Sequence, residues 1–255
     1  MGAGSEDLLL MKKKNLSFGL LSEIKIDDPE TFEDKIFLTL DVDWAHDEVF
    51  ADSIDFLREL GAKATWFVTH ETAILDDIRD DPNFELGIHP NFNPLLDGSS
   101  NGARNAAEVI DDVLKIVPEA KCVRSHSMSQ NFRLLDLFSD RGLTHDSNDF
   151  IPEQSGMELL PYPHWTGLLR VPFFWEDNVQ CMYRKNSSIC DLVNRNGLKI
   201  FNFHPIHVFL NTEKLSRYEN TRSQHYKPEL LINMRSNSSM GSREQLKQII
   251  DQIHL

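Results

Sequence analysis

The chain has 255 residues, 40% of them hydrophobic, and 40 acidic against 26 basic side chains leave a formal net charge of −14. That length suits one large α/β domain of roughly 200–250 residues, and the charge opposes nonspecific binding to nucleic acid or an acidic membrane surface. Three cysteines without Cys-x-x-Cys spacing point away from a disulfide framework and toward a reducing compartment.

The opening stretch, MGAGSEDLLLMKKKN, puts its lysines after a short apolar run, the reverse of a secretory leader, and Glu6 breaks the myristoylation pattern. No stretch approaches the roughly 18 apolar residues of a membrane helix, so a cytoplasmic protein is expected. Residues 1–34 read as an N-terminal extension, the first ten as an early start ahead of Met11.

From residue 35 short apolar runs alternate with amphipathic stretches. KIFLTLDVD (35–43) predicts a strand. In 46–62, Val49, Phe50, Ile54, Leu57 and Leu60 fall at helical spacing, with Gly61 as C-cap. A strand at 63–69, a short helix near 70–79, a strand at 84–89 and a helix at 104–117 follow, the last stopped by Pro118. Then come a strand at 121–125, a helix at 131–142 and a strand at 143–149. Such a rhythm implies parallel strands with covering helices. Residues 151–175 mix prolines with aromatics and read as an elaborated loop with a strand at 168–174. A helix near 187–196 and a strand at 198–204 resume the pattern. Residues 211–241 are polar and aperiodic, a long loop or lid, and a last helix begins at Ser242 with Gln245 as its capping-box partner. The chain therefore reads as one catalytic domain over 35–255, with inserted loops near 151–185 and 211–241.

The informative feature is where the polar residues fall. Asp41 and Asp43, His89, Arg124, Asp146 and Asp149, and His204 each lie at the C-terminal end of an expected strand or just beyond it. In a parallel α/β barrel that end is the catalytic face. A single Asp there usually caps the next helix; convergence from five strands argues for a site. Asp41 and Asp43, two apart on a strand, share a face and would repel unless a cation or proton lies between them. One could bind a metal while the other serves as a base, with Trp44 as an apolar wall. His89 is a natural imidazole ligand beside Asp43.

The segments TLDVD, GIHPNFN, VRSHS, DSNDF and NFHPIH, in that order over about residues 35–210, resemble the five motifs of the polysaccharide deacetylase family (carbohydrate esterase family 4). HPNF and the FHPIHVFLNT ending are similar to deacetylases predicted in surface-polysaccharide (O-antigen) gene clusters. The resemblance implies a distorted (β/α) barrel and a metal-dependent hydrolase that removes an N-acyl group, acetyl foremost, from a sugar. It implies Asp41 as the base, Asp43 and His89 as metal ligands, Arg124 as the arginine orienting the base, and the Ser127 backbone N–H as an oxyanion donor. It implies Asp149 as the carboxylate orienting the acid, Phe150 as an apolar groove residue and His204 as the acid itself.

One position departs from the family: Asn93 stands where the second motif has its second histidine, and a neutral amide is a poor ligand for zinc. The third ligand then falls to His126, His207 or water, and the ion is zinc or a harder cation. Without a metal, Arg124 would be the counter-ion of the two aspartates. Tyr162, Trp165, Phe173, Phe174 and Trp175 either stack on sugar rings or pack as core. In 211–241, Lys214, Arg217, Arg222, Lys227 and Arg235 outnumber Glu213, Glu219 and Glu229, an excess suited to a phosphate. The partner expected is a sugar, as a nucleotide-sugar or a lipid-linked glycan precursor, with homo-oligomerisation left open. Two other readings stand: a catalytically silent relative that binds glycan or a partner, favoured by Asn93, and a hydrolase of a formyl group or another C–N bond.

Overall fold

The computed structural model describes residues 15–99, 104–183 and 188–254; the expectations for residues 1–14 lie outside them. The strands are β1 (Ser17–Phe18), β2 (Lys35–Asp41), β3 (Ala64–Val68), β4 (Phe84–Ile88), β5 (Cys122–Val123), β6 (His145–Asp146), β7 (Tyr162–Pro163), β8 (Leu169–Arg170), β9 (Trp175–Glu176) and β10 (Ile200–Phe203). They form one sheet in the order β7-β8-β6-β5-β4-β3-β2-β10-β9, with β1 beside β2. Every pairing is parallel except β7 with β8.

β8 and β9 are the two ends of one continuous stretch, 169–176. Arg170 pairs with Asp146 of β6, Phe173 bridges Phe150, and Glu176 pairs with Asn202 of β10. That stretch thus joins the two edges of the curled sheet and closes a distorted (β/α) barrel. The single strand expected at 168–174 is split because Pro172 has no N–H for a ladder bond.

The covering helices are α1 (Asp47–Glu59), α2 (Ile74–Arg79), α3 (Asn93–Leu96), α4 (Ala106–Ile116), α5 (Phe132–Asp140), α6 (Asp177–Tyr183), α7 (Ile189–Asn194), α8 (Pro205–Leu210), α9 (Leu215–Thr221), α10 (Pro228–Leu231) and α11 (Ser242–Asp251). Helix α1 starts at His46, whose side chain accepts from the Glu48 N–H, and buries Val49, Phe50, Ile54 and Leu57. It stops at Gly61, whose φ of 62° suits glycine. α4 carries a reciprocal cap between Asn105 and Glu108, and Asn131 caps α5. Among the described residues no helix is long and apolar enough to cross a membrane. The three cysteines are free.

Three local expectations change. Residues 15–34 are no appendage: β1 pairs with β2, and Leu16, Leu21, Ile24 and Phe32 enter the core. The Leu21 N–H donates to Thr65 Oγ1, the Ser22 N–H to Glu85, and Ile24 O meets His145, so this segment caps the lower end of β3, β4 and β6. The stretch 211–241 is built from short helices, and 177–183 is helical as well. Pro205 occupies the first turn of α8, where its missing N–H costs nothing. The N-cap of α11 is Gly241 rather than Ser242, whose hydroxyl donates to Thr212 O instead. A Cβ at Gly241 would lie 2.2 Å from Asn211 Oδ1, so the cap has to be glycine.

Candidate active site

Period-2 alternation delivers one column of side chains to the barrel interior. On β2 that column is Phe37, Thr39 and Asp41; on β10 and just past it, Ile200, Asn202 and His204. Register pairs Thr39 with Asn202, and Asn202 with Glu176. Beneath His89, Gly87 leaves the room its neighbours need: a Cβ there would sit 2.9 Å from Cys122 O.

Arg124 fills the centre. Its guanidinium lies between the rings of Phe67 (4.5 Å) and Phe173 (4.3 Å) and is 1% exposed. It donates to Asp41 Oδ1 (3.0 Å), Thr39 Oγ1 (2.9 Å), Asn202 Oδ1 (2.5 Å), Ser147 Oγ (2.9 Å) and Ser147 O (3.0 Å). A buried charge needs that degree of satisfaction. Asn202 donates in turn to the other Asp41 oxygen at 2.9 Å. Burial alone would raise the Asp41 carboxyl, but Arg124, His89 and His204 outweigh it and hold the group below the usual carboxylate range. Asp41 is therefore an ionised, oriented carboxylate at neutral pH.

Asp43 sits at the cavity wall. Its Oδ1 faces His126 Nδ1 at 2.9 Å and His89 Nε2 at 3.2 Å. Candidate ligand atoms of Asp43, His89 and His126 all lie within 4.8 Å of one another. Burial opposes ionisation here too, yet the two imidazoles carry the Asp43 carboxyl far below its ordinary value. The set is one carboxylate and two imidazoles beside an open cavity, the donor chemistry of a three-ligand metal site with room for substrate. Of the options sequence left for the third ligand, His126 is the one beside Asp43. Asn93 does something else: its amide donates to Ser127 Oγ at 3.1 Å, bracing the loop that carries His126.

Two loops at this wall hold non-glycine residues in the left-handed region, Asp43 (φ 46°) with Trp44 (54°) and Ser127 (57°) with Met128 (51°). Each costs on the order of 1 kcal/mol, a strain typical of sites that need fixed geometry. Trp44 is held by its N–H on Thr69 Oγ1 and sets its ring edge-on to His126 at 5.1 Å. The Ser127 N–H has no protein acceptor among the described residues, and Phe150 packs on Phe173 at 5.1 Å.

Across the mouth, His204 Nε2 lies 3.9 Å from Asp41 Oδ2 and 3.6 Å from Asp43 Oδ2. Its partner is not Asp149. Asp177 accepts from both the His204 ring, Nδ1 to Oδ1 at 2.7 Å, and the His204 backbone N–H at 2.9 Å. Asp149 instead pairs with Arg170 at 2.7 Å and accepts from Tyr162 and Gln130, so it cannot orient the imidazole. Asp146 is likewise tied to Arg170, at 2.5 Å. Burial works against a charged His204, but Asp177, then Asp43 and Asp41, raise it well above the usual histidine range. His207 Nδ1 meets Thr212 Oγ1 at 3.1 Å, and burial lowers that ring to about 4.

Sequence reasoning missed Asp177, Asn202 and Glu176. Asp177 follows the strand expected at 168–174 as the other rim residues follow theirs, and Asn202 precedes His204 by two on one strand face. Both signals were present in the pattern. The aromatic cluster divides: Phe173, Phe174 and Trp175 are core, whereas Tyr162 and Trp165 are exposed, the latter stacked on Phe132 at 5.7 Å.

A cavity of about 550 Å³ opens from Asp43, His126 and His204 toward Tyr218, Arg222 and Tyr226. A family profile described as WbmS-like polysaccharide deacetylase matches residues 38–222. The fold is similar to the crystal structure of a candidate polysaccharide deacetylase involved in O-antigen biosynthesis from Bordetella bronchiseptica. That match has a TM-score of 0.88 and 42% identity over 94% of this chain and 98% of the other. A candidate polysaccharide deacetylase from Mycobacterium smegmatis matches at TM-score 0.48 and 16% identity, over 94% of this chain and 95% of that one. No curated protein sequence matches.

Proposed function

The chain belongs to the WbmS-like polysaccharide deacetylases, and from that premise we propose that it hydrolyses the N-acetyl group of a sugar in surface-polysaccharide (O-antigen) biosynthesis, with a divalent metal, zinc foremost, at Asp43, His89 and His126. The observation that carries this reading is a base and an acid facing each other across one ligand set: Asp41, bound to Arg124 and Asn202, and His204, bound to Asp177.

A divalent ion held by Asp43, His89 and His126 would lower the pKa of a water and polarise the acyl carbonyl. Asp41, unprotonated and fixed by Arg124, takes the water's proton as it attacks. The Ser127 N–H, without a protein acceptor among the described residues, is available to meet the developing oxyanion. His204, kept protonated with Asp177 on Nδ1, gives its Nε2 proton to the leaving amine. Trp44, and Phe150 further round the rim, supply apolar surface to the sugar. The substrate is a cytoplasmic nucleotide-sugar or a lipid-linked glycan precursor.

The silent-relative reading keeps Asn93 as its support, but the bracing of the His126 loop by Asn93 turns that residue into part of an alternative ligand set. A binding module also has no need for a paired base and acid. Asp41→Asn and His204→Ala test the proposal: each should lower kcat for acetate release at least ~100-fold. Wild-type turnover in both variants would end it.

A further inference from the structure

The cavity that begins at the ligand set does not end there. Its far wall is Leu215, Tyr218, Arg222, His225 and Tyr226, from α9 and the turn after it, so one void joins the reacting end to the segment expected as a lid. The cations of that segment are not equivalent. Arg217 is held by both oxygens of Glu213, at 2.6 and 2.8 Å. Lys214 lies 3.9 Å from Glu213, and Arg235 pairs with Asp52 at 2.9 Å and sits over the Phe209 ring. Arg222 alone among these faces the cavity, and it has no carboxylate partner among the described residues.

The wall also has a one-sided polarity. Asp43 is its only carboxylate among the described residues, against Arg222 and five histidines, in a protein with a net charge of −14. A ladder of rings runs from the acid toward that arginine: His204 to His207 at 5.7 Å, His207 to Tyr218 at 4.9 Å, Tyr218 to His225 at 4.8 Å. Such a wall offers hydrogen-bond donors and stacking faces to a sugar, and one uncommitted cation beyond them.

Resting on the deacetylase reading above, we propose that the substrate is an anionic N-acyl sugar whose carboxylate or phosphate is received by Arg222 at the lid end of this cavity. A guanidinium bound to an anion through charge-assisted hydrogen bonds is shorter-ranged and more directional than general attraction. Lys214, Arg217 and Arg235, already paired, hold α9 and its neighbours in place.

The test is calorimetric binding to metal-loaded protein of neutral N-acetylglucosamine, its 1-phosphate, uridine diphosphate N-acetylglucosamine and an N-acetylated hexuronic acid. Wild type should bind at least one anionic sugar ~10-fold or more tightly than the neutral one, and the one preferred separates phosphate from carboxylate. Arg222→Ala should reduce that preference by at least ~10-fold, Arg222→Lys should retain part of it, and Lys227→Ala should leave it intact. Equal affinity for charged and neutral sugars, binding of none of the anions, or a preference that survives Arg222→Ala overturns the inference. Binding is read without turnover, so a protein that prefers anionic sugars yet releases no acetate would sink the deacetylase reading alone. One that deacetylates a neutral sugar with no such preference would sink only the role of Arg222.

Discussion

Two groups of one aspartate and two histidines have ligand atoms within 4.8 Å of each other: Asp43, His89 and His126, and Asp177, His204 and His207. Only their surroundings separate them. In the first, two imidazole nitrogens converge on the same carboxylate oxygen at the wall of an open cavity. In the second, every residue is buried and the ring Nδ1 atoms already have partners, Asp177 for His204 and Thr212 for His207. On the proposed function, the first would share a cation and the second would hold and aim a proton. Spacing alone does not distinguish a metal site from a proton-holding one; the hydrogen-bond inventory does.

The contrast breaks hardest at the reacting groups themselves, through the ~100-fold losses expected for Asp41→Asn and His204→Ala. Metal content comes next. His126→Ala should lower bound zinc at least ~10-fold by elemental analysis after dialysis, whereas His207→Ala should keep the wild-type stoichiometry. If both variants lose the ion equally, the two groups are not different in kind.

A pH profile sharpens the second group. The acid must be protonated to work, and Asp177 is the largest influence raising His204 against its burial. Activity is therefore lost as pH rises through the His204 pKa, and Asp177→Asn should move the alkaline limb of kcat/KM to lower pH. An unmoved limb would assign the proton to another group.

The smallest effect concerns Glu176, which pairs in register with Asn202 inside the barrel and whose burial pushes it up to about 7 from a usual 4.5. The folded chain thus keeps a proton that the unfolded chain has released, and stability falls as pH rises from 4.5 through 7. The loss reaches up to roughly 3 kcal/mol. Glu176→Gln should accordingly raise Tm relative to wild type more at pH 8 than at pH 5. An equal change at both would show that Glu176 is ionised throughout.

Much of this architecture was readable beforehand because a parallel barrel gathers strand ends at one rim, and strand ends carry their signature as a polar residue after an apolar run. Asp41, Asp43, His89, Arg124 and His204 announced themselves in that way, and His126 by standing two residues beyond Arg124. Asp149 carried the same signature, but which carboxylate reaches His204 is decided by barrel closure through 169–176, a long-range event that local pattern does not encode. Residues 15–34 and 211–241 were opaque for another reason. A two-residue strand and helices of four to seven residues are too short to show a period, and tertiary packing decides their conformation.

The central claim, hydrolysis of an N-acetyl sugar at the Asp43, His89 and His126 ligand set, is tested most directly by acetate release from a panel of neutral and anionic N-acetyl sugars. Wild type would be assayed as purified, after chelation, and after zinc is restored, with Asp41→Asn as the blank. Release that disappears with the chelator, returns with zinc and is missing from Asp41→Asn is the predicted result. Release that persists undiminished without metal, or that Asp41→Asn matches, would contradict it.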